Sequence, residues 1–156
     1  MANLSQNVLI KNILLAEDSL EHCFFFRKTL SQLYPTIKYN EVNDGEALLS
    51  FLKSFIPDIL FLDLDMPCKN GIECLNEIRN KRIYDSLPIV IYSISNRQNT
   101  IQTTYGLGAN LYFIKPAEYN SLHKALEYII SLDWSNPKAV TENYFSNNKY
   151  LAFQQQ

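Results

Sequence analysis

Continuous runs of apolar residues alternate along the chain with segments in which apolar residues recur every three or four positions. Continuous runs are typical of strands covered on both faces, and the three-to-four spacing is typical of amphipathic helices. The runs predict five strands, over residues 12–18, 37–42, 58–63, 87–93 and 111–114. The spaced segments predict five helices, over residues 19–34, 44–55, 71–82, 96–106 and 118–132.

This alternation of strand and helix predicts an α/β fold with one doubly wound, five-stranded parallel sheet in a (βα)5 arrangement. We expect a single domain over residues 12–132, preceded by a short N-terminal extension over residues 1–11. A C-terminal extension over residues 133–156 follows the last predicted helix. It is too short to form a second hydrophobic core, so we expect a single-domain protein.

The C-terminal extension is unusually aromatic for a segment rich in Asn, Ser and Gln. Its aromatic residues are Trp134, Tyr144, Phe145, Tyr150 and Phe153. Disordered segments contain few such side chains, and exposed apolar surface on this scale marks an interaction. We therefore expect the extension to pack on its own domain or on a second copy of the chain, which makes a homodimer a candidate assembly.

Composition narrows the class of protein. Hydrophobic residues make up 47% of the 156 residues and charged residues 19%, as in an ordinary globular protein. The net charge of −2 gives no reason to expect a nucleic-acid partner, and no stretch approaches the roughly 18 apolar residues of a membrane span. Three cysteines without a CxxC motif favour a reducing compartment, so we expect a cytoplasmic protein.

Polar side chains follow four of the five predicted strands. Binding sites in open parallel sheets lie beyond the carboxyl ends of the strands. The residues expected at that edge are Glu17 and Asp18 after the first strand, Asp63 and Asp65 after the third, Ser93 after the fourth and Lys115 after the fifth.

Carboxylates that converge in this way repel one another unless a cation joins them. Ligands that are all oxygen atoms favour Mg²⁺ or Mn²⁺. A lysine and a hydroxyl on the far side of the site would donate to the remaining oxygens of a phosphoryl group. The set therefore predicts phosphoryl transfer to or from a carboxylate.

Four stretches carry a resemblance to a known family. They are AEDS (16–19), DILFLDLDMPCKNGIE (58–73), LPIVIYS (87–93) and LYFIKP (111–116). In this order and spacing they resemble the receiver domain of two-component response regulators, which has a flavodoxin-like (βα)5 fold. The resemblance covers roughly residues 12–132.

The resemblance implies a phosphorylation site at the acidic edge. The Asp of the D-x-x-M-P motif is the family's phosphoacceptor and falls on Asp63. The family's metal, Mg²⁺ or Mn²⁺, would be held by Glu17, Asp18, Asp63 and the backbone carbonyl of Asp65. Glu17 stands where many members have Asp, and its longer side chain would reach the metal through a water molecule.

The resemblance also implies a conformational switch. Ser93 matches the family's hydroxyl switch residue and Lys115 its phosphoryl-binding lysine, while Tyr112 matches its rotating aromatic. The Lys115–Pro116 bond matches a cis peptide that would aim the lysine inward. Ile94 stands where the family has a small residue, and we expect it to shield the phosphoryl group from water.

The function implied is that of a stand-alone response regulator, which catalyses only its own phosphorylation and dephosphorylation. Its partners would be a sensor histidine kinase or phosphotransfer protein and a downstream protein target. The family's register turns Leu20 and Phe24 of the first helix outward, where they would contact the kinase.

Two alternatives remain. A pseudo-receiver that binds a partner without phosphorylation is kept open by Ile94. The Asp63-Leu64-Asp65 triplet also resembles the D-x-D motif of haloacid dehalogenase-type phosphohydrolases. Their metal-binding acids follow the lysine, whereas Glu17 and Asp18 precede Lys115, so the order of residues argues against that class.

Overall fold

A computed structural model describes residues 9–155 of the chain. Five parallel strands form one sheet in the order β2-β1-β3-β4-β5. They are β1 Asn12–Ala16, β2 Lys38–Val42, β3 Ile59–Leu62, β4 Ile89–Ser93 and β5 Leu111–Ile114. The first strand lies between the second and third in this order, so the chain winds in both directions from β1. The predicted doubly wound (βα)5 fold is confirmed.

Four helices connect the strands of the sheet, and a fifth follows β5. They are α1 Leu20–Leu33, α2 Gly45–Ser54, α3 Gly71–Arg79, α4 Gln98–Gly106 and α5 Tyr119–Ser131. Side-chain caps fix the start of three of them. The oxygen atoms of Ser19, Asp44 and Asn70 accept hydrogen bonds from amides in the first turns of α1, α2 and α3. Of the helices within the described residues, none is long and apolar enough to cross a membrane.

The helices form one layer on each face of the sheet. Helices α1 and α5 cover the face that contains Phe61 of β3, and Phe26 and Leu126 are fully buried there. Helices α2, α3 and α4 cover the face that contains Leu60 and Leu62. Because successive residues of a strand point to opposite faces, β3 is buried at every position, as its continuous apolar sequence predicts.

Helix α3 is shorter than the sequence predicts. It ends at Arg79 rather than at residue 82, and a separate 3₁₀ turn spans Arg82–Tyr84. The Arg79 guanidinium donates to the carbonyl oxygens of Gly108, Tyr84 and Leu87. These bonds hold the chain that follows α3 against the segment that leads into β5.

The C-terminal extension packs on its own domain. The ring of Trp134 is buried, and its indole N–H donates to the carbonyl oxygen of Ile129 over 2.8 Å. A short helix, α6 Pro137–Glu142, leads to a hairpin of β6 Phe145–Ser146 and β7 Lys149–Tyr150. Asn147 and Asn148 have positive φ angles of 52° and 63°, which suits a two-residue hairpin turn.

Most of the predicted N-terminal extension lies outside the described residues. Within residues 9–11, Ile10 is buried in the core, and the amide of Lys11 donates to the carboxylate of Asp58 over 2.8 Å. The chain is therefore anchored to the domain before β1 begins.

Candidate functional site

Three carboxylates meet at the carboxyl edge of the sheet. Glu17 and Asp18 follow β1, Asp63 follows β3, and one carboxylate oxygen from each lies within 4.8 Å of the others. β1 and β3 are parallel neighbours, so both strands end at the same edge. The amide of Asp63 donates to the carbonyl oxygen of Ala16 over 2.9 Å and extends this pairing to the site. We refer to Glu17, Asp18 and Asp63 as the acidic cluster.

A close backbone approach fixes the loop that carries Asp63. The amide of Gly71 donates to the carbonyl oxygen of Leu64 over 3.0 Å. A Cβ atom on Gly71 would lie only 2.2 Å from the carbonyl oxygen of Asp63. Glycine is therefore required at the start of α3 for the loop to fold back on the site.

The ammonium group of Lys115 lies beside two of the carboxylates. Its Nζ is 2.5 Å from Glu17 Oε2 and 3.6 Å from Asp63 Oδ2, and its side chain is only 6% exposed. The Lys115 amide donates to the Ser93 carbonyl oxygen over 2.8 Å, which continues the pairing of β5 with β4. This strand pairing brings the lysine to the edge where Asp63 lies.

The prediction of a cis Lys115–Pro116 peptide bond is wrong, because this bond is trans. The lysine points inward because its amide pairs with Ser93 at the end of β5 and because its ammonium forms an ion pair with Glu17. Its Nζ also lies 5.0 Å from the centre of the Tyr92 ring, a distance at which the ring attracts a cation.

Burial makes ionisation of Asp63 costly. Desolvation raises the pKa of Asp63 to about 7; the Lys115 charge opposes this increase, and the Glu17 carboxylate adds to it. The Asp63 Oδ1 atom accepts a hydrogen bond from the Asp65 amide over 3.3 Å. A positive charge beside Asp63 would favour its ionised form.

His22 is a neighbour of the site that the sequence analysis did not include. Its Nδ1 atom lies 3.1 Å from Lys115 Nζ and 3.7 Å from Glu17 Oε1. Burial and the lysine charge lower the pKa of His22, which favours a neutral ring. The available signal was its position in the first turn of α1, which starts at the acidic edge.

Ser93 and Tyr112 are joined through one loop residue. The buried Ser93 hydroxyl accepts a hydrogen bond from the Ser95 amide over 3.2 Å. The Tyr112 hydroxyl donates to the Ser95 carbonyl oxygen over 2.9 Å, and the ring is fully buried. Tyr112 thus occupies an inward position, and its hydroxyl is tied to the loop that follows Ser93.

A cavity of about 640 Å³ opens beside the acidic cluster. Asp18, Asp65 and Ser93 line it together with Arg97 and Thr100 of the following loop and helix. Ile94, next to Ser93, is 68% exposed. The cavity is therefore open from solvent to a small anionic group between Asp18, Asp65 and Ser93.

The donor set of the acidic cluster fits the metal site of a receiver domain. Every available ligand atom is a carboxylate oxygen, and such hard oxygen ligands match Mg²⁺ and Mn²⁺. Asp65 lies two residues after Asp63 in the same loop, so its backbone carbonyl belongs to the segment that borders the cluster.

The fold and this site together match one family. Residues 13–127 match the model of the response regulator receiver domain, which is about three quarters of the chain. The chain belongs to this family, whose members are signalling proteins of two-component systems. The resemblance found in the sequence motifs is thereby confirmed.

Two curated relatives show how the similarity is distributed. The nitrate/nitrite response regulator protein NarL of Escherichia coli is 37% identical over 100 residues, which are 64% of this chain and 45% of NarL. This chain thus matches less than half the length of NarL. Response regulator Rcp1 of Synechocystis sp. is 29% identical over 128 residues, which are 78% of this chain and 87% of Rcp1.

Two solved structures show the same architecture. The Mn²⁺-bound form of Rcp1 superposes with a TM-score of 0.73 at 28% identity, covering 78% of this chain and 93% of Rcp1. The phosphorylated cyanobacterial phytochrome response regulator RcpA also gives a TM-score of 0.73 at 28% identity, covering 77% of this chain and 91% of RcpA.

Proposed function

We propose that this chain is a response regulator that accepts a phosphoryl group on Asp63 and passes the signal on by changing how it binds a protein partner. The observation that carries the proposal is the position of the Asp63 carboxylate. It lies 3.6 Å from the Lys115 ammonium and within 4.8 Å of the Glu17 and Asp18 carboxylates. Asp63 can accept a phosphoryl group here, because the Lys115 ammonium on one side and a cation held by the carboxylates on the other would balance the negative charge of that group.

The residues of the site have separate roles in this transfer. Glu17, Asp18, Asp63 and the Asp65 carbonyl would hold Mg²⁺ or Mn²⁺, which supplies positive charge for the phosphoryl oxygens. An Asp63 oxygen forms the new bond to phosphorus as the bond from phosphorus to the donor's imidazole nitrogen breaks. The donor nitrogen keeps the bonding electron pair. Lys115 donates to one phosphoryl oxygen, which requires it to shift from Glu17.

The signal would leave the site through Ser95. In this structure the Ser95 amide donates a hydrogen bond to the Ser93 hydroxyl. When that hydroxyl turns toward a phosphoryl oxygen, the Ser95 amide must move with it or lose this hydrogen bond. The Ser95 carbonyl accepts a hydrogen bond from the Tyr112 hydroxyl, so a loop drawn toward the phosphoryl group would favour the inward Tyr112 ring over an outward one. The face built by α4, β5 and α5 would then differ between the two states.

The phosphoryl donor would be a histidine kinase or phosphotransfer protein in the cytoplasm, and the recipient of the signal a further protein. Leu20 and Phe24 of α1 are 80% and 48% exposed at the same end of the molecule as the acidic cluster. Phe26 of the same helix is fully buried. The exposed pair is therefore available for contact with a helical donor protein.

Incubation with acetyl phosphate and Mg²⁺, followed by mass spectrometry, tests the proposal. We expect one added phosphoryl group in the native chain and none in Asp63→Asn. Asp65→Asn is the matched control, because only its main chain is assigned to the metal, and it should still be labelled. Labelling that persists in Asp63→Asn would contradict the assignment. A native chain that is never labelled would favour the pseudo-receiver alternative.

A further inference from the structure

Residues 149–153 contact α4 and then pair, at Phe153, with β5, which is an edge strand of the sheet. The Phe153 amide donates to the Tyr112 carbonyl oxygen over 2.7 Å, and the Ile114 amide donates to the Phe153 carbonyl oxygen over 3.0 Å. An uncovered edge strand presents such groups to other chains. Here the chain's own C-terminal segment pairs with them.

Side chains of α4 and α5 hold this segment in place. The Gln102 amide group donates to the Tyr150 carbonyl oxygen over 2.7 Å and accepts from the Tyr150 amide over 2.9 Å. The Tyr150 ring stacks on Tyr105 at 4.7 Å between centroids, and the Phe153 ring stacks on Tyr128 at 5.1 Å. The features recognised are an extended main chain and two aromatic rings three positions apart.

The same contacts reach Tyr112. The Tyr105 hydroxyl donates to the Leu151 carbonyl oxygen over 2.8 Å and accepts from the Tyr112 amide over 2.9 Å. Ala152 packs on the same side of the sheet as the Tyr112 ring. A Tyr112 ring turned outward between α4 and β5 would need space beside Ala152, so the docked segment favours the inward ring.

We propose that the β5 edge, with α4 and α5, is a binding site for an extended peptide carrying two aromatic residues, and that residues 149–153 fill it within the molecule. Another extended chain can bind this edge only after that segment leaves. A second step rests on the proposed function. Docking of the segment and phosphorylation of Asp63 both favour inward Tyr112, so each strengthens the other by the same factor.

Hydrogen exchange on the full chain tests the binding site. Gln102→Ala removes both side-chain bonds to Tyr150 without touching the acidic cluster. We expect the amides of Phe153 and Ile114 to exchange about tenfold faster or more in this variant. Asn99→Ala, an exposed position on the same helix, is the matched control and should leave both rates unchanged. Equal exchange in Gln102→Ala and the native chain would overturn the proposal.

A labelled peptide with the sequence of residues 144–155 tests the same site by competition. We expect it to bind the full-length Phe153→Ala variant at least tenfold more tightly than the native chain, whose edge is filled. A peptide that itself carries Phe153→Ala should bind neither protein. Equal affinity of the native-sequence peptide for the two proteins would show that the edge is not the site.

The linkage to Asp63 has its own readout. Phosphorylation with acetyl phosphate and Mg²⁺ should slow exchange of the Phe153 amide in the native chain and leave it unchanged in Asp63→Asn. Faster exchange after phosphorylation would overturn the stated direction of the linkage. Failure to label Asp63 would refute the proposed function and this linkage, whereas the exchange and peptide comparisons of unphosphorylated proteins would still decide whether the edge site exists.

Discussion

At the carboxyl edge of the sheet the strands end, and at the β5 edge the last strand lacks a neighbouring strand on its outer side. The polar groups at these two edges differ in whether they have favourable partners. At the carboxyl edge, Glu17 and Asp63 are buried with one lysine between them. At the β5 edge, Tyr112 has its amide, carbonyl and hydroxyl all in hydrogen bonds. The carboxyl edge retains repulsion among buried carboxylates, which a bound cation can relieve. At the β5 edge the main-chain groups are already paired with the C-terminal segment.

Replacing Lys115, the cation that contacts the buried acids of the carboxyl edge, should have the largest effect. Lys115→Met keeps the apolar stem but leaves the buried Glu17 and Asp63 without a positive charge. We expect the free energy of unfolding at pH 7.5 without metal to fall by about 3–5 kcal/mol, as when one partner of a buried ion pair is removed. Urea unfolding measures this value.

The control for this prediction is Lys69→Met, because Lys69 forms an ion pair with Glu77 at the surface. Exposed pairs contribute little to stability, so the control should change the unfolding free energy far less. A similar loss of unfolding free energy in both variants would mean that the buried carboxylates do not depend on Lys115 for their stability.

At the β5 edge, the corresponding change is at Trp134, whose buried ring anchors the C-terminal segment to the domain. Trp134→Ala removes a buried ring and its bond to Ile129, and we expect a loss of about 3 kcal/mol. Since no charge is involved, the loss should be the same at pH 5.5 and pH 8 and with or without Mg²⁺. A loss that depended on Mg²⁺ would show that the metal alone, without phosphorylation, alters the packing of the C-terminal segment.

The sequence predicted the elements of the fold because each depends on local pattern. The continuous apolar run of β3 and the three-to-four spacing of apolar residues in the helices are visible in the chain itself. The end of α3 was placed too late, and the bonds that position the chain after it run from Arg79 to carbonyl groups up to 29 positions away. Such contacts exist only once the strands are aligned.

The site was predictable to the extent that strand ends could be identified. Parallel strands bring their carboxyl ends together, so Glu17, Asp18 and Asp63 could be placed in one cluster before the structure was known. For His22, its position in the first turn of α1 indicated only the correct edge, because its approach to Lys115 depends on the angle at which α1 leaves β1. The destination of the aromatic C-terminal segment depends likewise on Gln102 and Tyr105, whose spacing gives no such signal.

The raised pKa of Asp63 predicts a dependence of stability on pH. Below about pH 4 the carboxyl is protonated in both the folded and the unfolded chain. Between there and about pH 7 it ionises in the unfolded chain first, so folding loses stability as the pH rises. Asp63→Asn should therefore raise Tm by about 2–6 °C at pH 7.5 without metal, on the order of 1–2 kcal/mol for a domain of this size.

The increase in Tm for Asp63→Asn should shrink toward pH 4, where the native residue is also uncharged. Added Mg²⁺ should stabilise the native chain more than the variant. Asp58→Asn offers a useful contrast, because Asp58 accepts bonds from the amides of Lys11 and Asn12 and the change should destabilise. A lower Tm for Asp63→Asn at pH 7.5 would contradict a costly ionised Asp63.

The smallest expected effect concerns the lifetime of the phosphorylated state at the carboxyl edge. Hydrolysis of an acyl phosphate needs a water molecule in line with the phosphorus and opposite the Asp63 oxygen. Ile94 adjoins Ser93, and as a β-branched side chain it has little rotamer freedom to move aside. At 68% exposure it can cover only part of the approach. Ile94→Ala should therefore accelerate loss of phosphate by no more than about tenfold, the equivalent of about 1.4 kcal/mol of barrier.

Decay of the isolated phosphorylated protein, followed by mass spectrometry in excess Mg²⁺, gives this rate directly. Asn96→Ala, two positions further along the same loop and also exposed, is the control and should decay at the native rate. If Ile94→Ala decays at the native rate or more slowly, Ile94 does not shield the phosphoryl group, and access of water is limited elsewhere. Asp65 would then be the residue to test, because its carboxylate lines the same cavity and can either orient a water molecule or repel the phosphoryl charge.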